Sequence, residues 1–186
     1  MKKLFVWWFS VRGWKMDVNL PNGYEKCVVI AAPHTSNWDF VFSLAVFFKL
    51  DIPVRFLAKK ELFIWPFKEL LKSLGGLAVQ RNKKLKLVDT IIDMFNQNEK
   101  LMLMIPAEGT RSKVERWKTG FYHAALGAKV PVLLGYLDYK TKTAGFGPLL
   151  HLTGNPATDA GTIKAFYKNK AGKFPKKFNL EGLVLE

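Results

Sequence analysis

The sequence alternates short apolar runs with segments of helical periodicity, and this alternation restricts the fold more than any other feature. Runs of strand length that are apolar throughout are typical of strands buried on both faces of a sheet. The predicted strands are 27–32, 54–58, 77–80, 101–106, 130–138 and 149–154. Strands that alternate with helices predict an α/β fold, with helices flanking a mostly parallel or mixed sheet.

The segments between the predicted strands place apolar residues three and four positions apart, which is the repeat of an amphipathic helix. The predicted helices are 38–50, 60–74, 83–97, 119–127 and 158–170. Asn82 is expected to cap the third of these helices. Trp65-Pro66 is expected to mark a kink or a first turn in the second. Because no internal repeat or linker interrupts the pattern, we expect residues 1–186 to form a single domain.

The first fifteen residues, MKKLFVWWFSVRGWK, predict an N-terminal amphipathic helix over 1–15. Such a helix either lies in a membrane interface or packs on the domain as an ordinary helix. Its apolar core is too short for a secretory signal peptide, and Arg12 and Lys15 follow that core directly. No uninterrupted apolar stretch reaches the roughly 18–20 residues of a membrane-spanning helix.

The net charge of the chain is +14, from 29 Lys and Arg against 15 Asp and Glu. A charge of this size indicates an anionic partner, which could be nucleic acid, a phosphorylated metabolite or an acidic membrane surface. Aromatic residues make up 14% of the chain. Aromatic rings beside lysines favour the membrane surface, because such rings settle at the depth of the lipid headgroups.

The stretch HTSNWD, residues 34–39, joins the first predicted strand to the first long helix. Ser36-x-x-Asp39 is a capping-box pattern, which accounts for the serine and the aspartate but not for His34. With His34 in the turn and Asp39 in the first helical turn, the imidazole can fold back onto the carboxylate. That arrangement is the base and orienting group of general-base catalysis.

A nucleophile to accompany this pair is missing from the sequence. Cys27 lies within a predicted strand, with no helix N-terminus or cation nearby in sequence to activate it. No G-x-S-x-G elbow occurs either. A base without its own nucleophile suits direct transfer, in which a substrate hydroxyl is deprotonated and attacks. His123 and His151 lie far from His34 in sequence, so we expect no metal site and interpret both as core or interface histidines.

The second polar segment, PAEGTRS at 106–112, follows the fourth predicted strand. Glycine lets backbone N–H groups approach a ligand, and the arginine fork suits bidentate contact with phosphate. The alternative is a charged surface loop. Because the carboxyl ends of parallel strands meet at one rim, we expect HTSNWD, QRN at 80–82 and this segment to lie together.

Together the two motifs, His34-x4-Asp39 and then Glu108-Gly109-Thr110-Arg111, resemble the glycerophospholipid acyltransferase family. This family comprises the 1-acylglycerol-3-phosphate acyltransferases and their relatives, and the resemblance extends over about residues 27–135. The positions that match two weaker blocks of the family are Gly75 and Arg81 in GGLAVQR, and Val130 and Pro131 in VPVLLG.

The resemblance implies transfer of a fatty acyl group from acyl-CoA or acyl carrier protein to a hydroxyl of a lysophospholipid, as in phospholipid biosynthesis. His34 would be the general base, Asp39 its orienting group, and no acyl-enzyme or cofactor would be needed. The residues implied to bind the phosphate region of the acceptor are Glu108, Gly109, Thr110, Arg111 and Arg81. Pro106-Ala107 stands where the family usually has Phe-Pro, so a different lipid acceptor stays open.

The expected location is the cytoplasmic face of an anionic membrane, as a peripheral or monotopic protein, with no nucleic-acid partner. Residues 59–72, KKELFIWPFKELLK, could dock on the membrane, line an acyl-chain groove or simply pack on the sheet. The tail over 171–186 could add electrostatic attraction or be a solvated end. Thioester hydrolysis and a non-enzymatic basic protein that binds membrane or nucleic acid are the remaining alternatives.

Overall fold

The computed structural model describes residues 2–17, 19–79 and 84–186. Within these ranges the chain forms one seven-stranded sheet and six α-helices. The strands are β1 Lys15–Asp17, β2 Lys26–Ala32, β3 Val54–Lys59, β4 Gly76–Val79, β5 Leu101–Pro106, β6 Val132–Asp138 and β7 Thr143–Leu150. The helices are α1 Lys2–Val11, α2 Asn37–Lys49, α3 Phe67–Ser73, α4 Lys84–Asn96, α5 Gly120–Gly127 and α6 Pro156–Tyr167.

The sheet has the strand order β1-β7-β6-β2-β5-β3-β4. The strands from β6 to β4 in this order pair in parallel, whereas β7 is antiparallel to β6 and β1 runs parallel to β7. The predicted α/β fold class with a mostly parallel or mixed sheet is therefore confirmed.

Side chains alternate between the two faces of the central strands, and each face carries its own hydrophobic core. On β2, for example, Val28 and Ile30 belong to one core and Val29 to the other. The first core is covered by α4, α5 and α6, and the second by α1, α2 and α3. Both faces being covered explains why the central strands are continuous apolar runs.

The predicted strand at 149–154 is wrong, because the strand here is β7 and ends at Leu150. Its sequence, TAGFGPLL, contains glycines and a proline. Both residue types are depleted in strands, so the strand was not predicted from its sequence. Pro148 is tolerated next to a register shift in the pairing with β6. The three-residue β1 was also not predicted, since three residues are too few for a periodic signal.

The predicted helix at 60–74 is wrong in its first half. A short 3-10 turn covers Lys60–Leu62, and α3 begins only at Phe67, directly after Trp65-Pro66. Helix α6 begins two residues earlier than predicted, because Asn155 caps it and Pro156 occupies its first turn. Asn82, the predicted cap of α4, lies outside the described residues.

Helix α1 packs on α2 through aromatic pairs, with Phe5 against Phe48, Phe9 against Phe42 and Trp8 stacked on Trp38. Its opposite side exposes Leu4, Trp7 and Val11. The helix therefore packs on the domain, as one of the two interpretations of residues 1–15 predicted, and its outer side is apolar. Within the described ranges, every helix is too short or too polar to cross a membrane.

Candidate active site

The sheet brings the two polar motifs together at one rim. Ala31 of β2 is in register with Pro106 of β5, and Ala32 with Tyr136 of β6. These strands are parallel, so the turns that follow them leave the sheet side by side. His34 follows β2, and Glu108 follows β5 as predicted.

The turn after β2 is fixed by Asp39 in the first turn of α2. The Oδ2 atom of Asp39 accepts the backbone N–H groups of Thr35 at 2.7 Å and Ser36 at 2.8 Å. The hydroxyl of Ser36 in turn accepts the N–H of Trp38 at 3.2 Å. The predicted capping box is therefore present, and it buries the Asp39 side chain in a defined orientation.

The imidazole of His34 lies beside this carboxylate. Its Nδ1 atom is 3.4 Å from Oδ2 of Asp39, and both side chains are largely buried, at 13% and 4% exposure. The distance is longer than an ordinary N–H···O hydrogen bond, as is common for catalytic pairs without substrate. With the proton on Nδ1 facing the carboxylate, the Nε2 atom carries the free lone pair.

Glu108 connects the second motif to the first. Its side chain is fully buried, and its Oε1 atom accepts the backbone N–H of His34 at 2.6 Å. The Oε2 atom is buried and has no hydrogen-bond partner within the described ranges. Burial raises the pKa of Glu108 to about 7, and the charge of Asp39 adds to the rise, whereas the His34 N–H opposes it.

The three residues after Glu108 form a tight turn at the rim. Gly109 has a φ of +73°, and its N–H donates to the carbonyl of Pro106 at 2.9 Å. A Cβ atom at this position would lie 2.5 Å from Cγ of Lys118, so the turn requires glycine both for its φ and for space. Thr110 is half-buried and Arg111 is exposed, so its guanidinium is accessible to an anion from solvent.

A cavity of about 530 Å³ opens beside these residues. Its polar rim includes His34, Asp39, Gly109, Thr110 and Arg111. Its walls are largely apolar and lie between the sheet and α2 and α3. They include Val29, Ala31, Phe40, Val46, Phe47, Phe56, Leu62, Leu71, Met104 and Phe146.

Lys59, Leu62 and Leu71 line the cavity, which agrees with the predicted groove wall over 59–72. Sequence reasoning had given Lys59, the last residue of β3, no role as a cation of the site, and it missed Tyr139. Tyr139, which directly follows β6, donates its hydroxyl to Oδ1 of Asp39 at 2.6 Å. The signal for Tyr139 was its place just after a predicted strand, at the rim shared by the other motifs. Arg81, the remaining predicted site residue, lies outside the described residues.

The other nucleophile and histidine candidates lie away from the cavity. Cys27 is near the start of β2, fully buried, and its thiol donates to the carbonyl of Tyr24 at 3.0 Å. Burial raises the pKa of this thiol to about 12, so it is held protonated. His123 and His151 are both exposed, so of the two interpretations, core or interface histidines, the first is wrong and the second stays a prediction.

The structure places a buried aspartate beside a histidine at the rim of an α/β sheet, next to a largely apolar cavity and an arginine-bearing turn. A family model described as Acyltransferase matches residues 16–133, which is more than half of the chain. The chain therefore belongs to the acyltransferase family, as the two motifs indicated.

Two curated acyltransferases are similar to this chain in sequence. The 1-acyl-sn-glycerol-3-phosphate acyltransferases of Escherichia coli (strain K12) and Salmonella typhimurium are each 32% identical to this chain over 130 residues. The matches cover 65% of this chain and 51% of each relative, so the chain spans about half the length of these relatives.

A solved structure resembles the fold. The crystal structure of the 1-acyl-sn-glycerophosphate (LPA) acyltransferase from Thermotoga maritima matches with a TM-score of 0.55 at 14% identity. The match covers 92% of this chain and 80% of that one. At this identity the likeness concerns the fold alone.

Proposed function

We propose that this protein transfers a fatty acyl group from a thioester, acyl-CoA or acyl carrier protein, to a hydroxyl of a lysophospholipid-type acceptor. The acceptor that the curated relatives favour is 1-acylglycerol-3-phosphate, from their printed names. The observation that carries the proposal is the His34–Asp39 pair, held at 3.4 Å at the mouth of a largely apolar cavity.

The cavity suits a fatty acyl chain by its size and its lining. Its volume of about 530 Å³ falls within the roughly 300–1,000 Å³ of small-molecule sites. The walls are built from residues of both α2 and the sheet, so a chain that enters from the rim would be covered on both sides. The thioester carbonyl would then lie near His34.

The chemistry follows from the free Nε2 lone pair of His34. This atom accepts the proton of the acceptor hydroxyl while the hydroxyl oxygen attacks the thioester carbonyl. A C–O bond forms and the C–S bond breaks as the tetrahedral intermediate collapses. The thiolate that leaves takes the proton back from the imidazolium, so His34 ends the cycle neutral. Asp39 stabilises the imidazolium in between.

The anionic end of the acceptor would meet the turn after β5 and the end of β3. Arg111 and Lys59 provide positive charge there, and the Gly109 turn lets backbone approach a phosphate. Arg81 would assist, as the family resemblance implies. Glu108 is buried behind His34, so we propose that it positions the His34 backbone and that its contribution to acceptor binding is indirect.

Association with an anionic membrane supports access to such an acceptor, and we propose it for the outer side of α1 together with residues 62–70. The exposed apolar residues of this surface are Leu4, Trp7, Val11, Leu62, Ile64, Trp65, Phe67 and Leu70. Exposed cations that include Arg12, Lys60, Lys68 and Lys72 accompany them, and the net charge is +14. Aromatic and basic side chains of this kind suit a headgroup layer with negative charge.

The test is an acyl-transfer assay with palmitoyl-CoA or palmitoyl-acyl carrier protein and a panel of lyso-acceptors, with lipid products identified by mass spectrometry. We expect diacylated product from lysophosphatidate. His34→Ala should lower kcat by about a hundredfold to ten-thousandfold, the contribution of a general base. His123→Ala, which removes an exposed histidine on α5, should leave the rate unchanged.

Three further outcomes would contradict the proposed mechanism. Cys27→Ala should retain transfer, because the thiol is buried and remote from His34; loss of activity in that variant would point to an acyl-enzyme. Free fatty acid formed at the same rate without any acceptor would assign hydrolysis instead. Full activity in His34→Ala would sink the general-base mechanism.

A further inference from the structure

The carboxylate of Asp39 has two oxygens with separate partners. Oδ2 accepts two backbone N–H groups of the turn and lies beside His34. Oδ1 accepts the hydroxyl of Tyr139 at 2.6 Å. The rotation of the carboxylate is therefore fixed from both sides, by the turn before α2 and by a side chain that follows β6.

The Tyr139 ring is itself held firmly. It packs edge to face on Trp14, with ring centroids 4.8 Å apart, and also contacts Phe42 of α2. Its backbone N–H donates to the carbonyl of Ala171 at 2.8 Å. The N–H of Ala171 donates back to Asp138 at 3.1 Å. The segment after α6 thus ties the Tyr139 backbone to the rim.

The same segment also supports the His34 turn directly. The N–H of Phe174 donates to the hydroxyl of Thr35 at 3.2 Å. Ala171, Phe174 and Tyr139 all lie after residue 133, where the match to the family model ends. This part of the chain therefore contributes to the histidine–aspartate pair from outside the region that defines the family.

We propose that Tyr139 is a positioning residue for acyl transfer, which orients the Asp39 carboxylate and through it keeps the His34 proton on Nδ1. Without the hydroxyl, Oδ1 of a carboxylate that is 4% exposed would lose its side-chain donor. The carboxylate would then rotate towards other donors, and its hold on Nδ1 would weaken. Nε2 would carry the proton in a larger fraction of molecules, and those molecules lack the base.

The inference deepens the proposed function and depends on it. Tyr139 lies behind Asp39 and is not among the described residues that line the cavity. Its loss should therefore affect the chemical step and leave substrate binding alone. We expect Tyr139→Phe to lower kcat roughly tenfold to a hundredfold, the effect of one hydrogen bond to a charged group. KM for palmitoyl-CoA and lysophosphatidate should stay within about twofold of the parent value.

Tyr122→Phe is the matched control. The Tyr122 hydroxyl also donates to a buried carboxylate, that of Asp159 at 3.0 Å. This pair lies on the other face of the sheet, with the α4–α6 core. The two variants lose the same hydroxyl and keep the ring, so a general cost of breaking a tyrosine–aspartate pair would appear in both.

The direct readout is the tautomer of His34, measured from the ring nitrogen shifts of ¹⁵N-histidine-labelled protein and assigned with His34→Ala. We expect Tyr139→Phe to move population from the Nδ1–H to the Nε2–H form, and Tyr122→Phe to leave it unchanged. An unchanged tautomer, a kcat within twofold of the parent, or equal losses in both variants would each overturn the proposal. If the parent protein transfers no acyl group, the proposed function fails, and the tautomer comparison alone decides the role of Tyr139.

Discussion

At the scale of single residues, His34 is held at three points that come from different parts of the chain. Glu108 fixes its backbone N–H at 2.6 Å. Asp39 faces its ring at 3.4 Å, and Thr35, its neighbour, is tied to Phe174. A general base must be kept in a narrow geometry to be effective, so these contacts outside the catalytic pair matter for the rate.

Glu108 gives a prediction for stability against pH. Its pKa is raised from an ordinary 4.5 to about 7 in the folded protein, chiefly by burial. The folded state thus binds this proton more tightly than the unfolded state does. The resulting stabilisation is present at low pH and is lost as the pH rises through about 7. The loss amounts to at most about 3 kcal/mol.

Glu108→Gln isolates this effect, because the amide oxygen can still accept the His34 N–H while the side chain no longer titrates. Urea unfolding of both proteins at pH 5, 6, 7 and 8 measures the free energy of unfolding. We expect the free energy of unfolding of the variant, relative to that of the parent, to increase as the pH rises over this range. If the difference in the free energy of unfolding between variant and parent does not change with pH, the pKa of Glu108 is the same in the folded and unfolded states.

The rim residues that belong to short motifs were predicted from the sequence, whereas Tyr139 was not. His34, Asp39 and Glu108 lie in short patterns whose spacing carries information. Tyr139 reaches Asp39 across 100 positions of the chain, through the pairing of β2 with β6. No local pattern encodes that contact, although the rim position just after a strand could have nominated it.

At the scale of elements, the start of α2 serves both as a helix cap and as part of the site. Ser36 caps α2, as Asn155 caps α6 on the other face of the sheet. Ser36→Ala and Asn155→Ala should each lower the free energy of unfolding by about 1 kcal/mol, the ordinary cost of an N-cap. Only Ser36→Ala should also lower kcat, because the turn it closes positions His34 and Asp39.

Chemical denaturation and steady-state kinetics on the two variants check this prediction. Equal kcat values in both variants would show that the cap of α2 acts on stability alone. A loss of activity in Asn155→Ala equal to that in Ser36→Ala would show instead that destabilisation by itself explains the change.

The elements that sequence reasoning predicted well are those with strong local signals. The central strands β2, β5 and β6 are long apolar runs, and α2 has both a cap and a clear apolar repeat. The elements that were predicted wrongly lack strong local signals. Strand β7 is rich in glycine and stabilised by its antiparallel partner, and Pro66 delays α3 until Phe67. Tertiary pairing and one proline decide these segments more than propensity does.

At the scale of the whole molecule, most of the large exposed apolar residues belong to α1 and to residues 62–70. The outer side of α1 and residues 62–70 belong to the face covered by α1, α2 and α3, and Leu62 and Leu71 also line the cavity. A membrane bound at this surface would therefore lie close to the proposed acyl site. Such proximity would let a lipid substrate enter without crossing water.

Binding to lipid vesicles tests this surface. Trp65 is 90% exposed and Trp7 is 57% exposed, so truncation of either should cost the fold little. We expect Trp65→Ala and Trp7→Ala each to weaken partitioning onto phosphatidylglycerol vesicles roughly tenfold, the value of burying one large side chain. Val184→Ala is the control and should bind like the parent, because it alters an exposed apolar residue between Leu183 and Leu185, which belong to the core on the other face of the sheet.

The salt dependence of vesicle binding separates the electrostatic contribution of the lysines and arginines from the apolar contribution of the tryptophans. Each lysine or arginine near an anionic surface adds about 1 kcal/mol at low ionic strength, and screening removes most of this at about 1 M salt. Partitioning onto phosphatidylglycerol vesicles should therefore fall steeply with salt, whereas phosphatidylcholine vesicles should bind weakly at every concentration. The tryptophan variants should lose the same factor at low and high salt, because the apolar contribution is not screened. Equal binding of the parent and both tryptophan variants would place the membrane contact elsewhere on the chain.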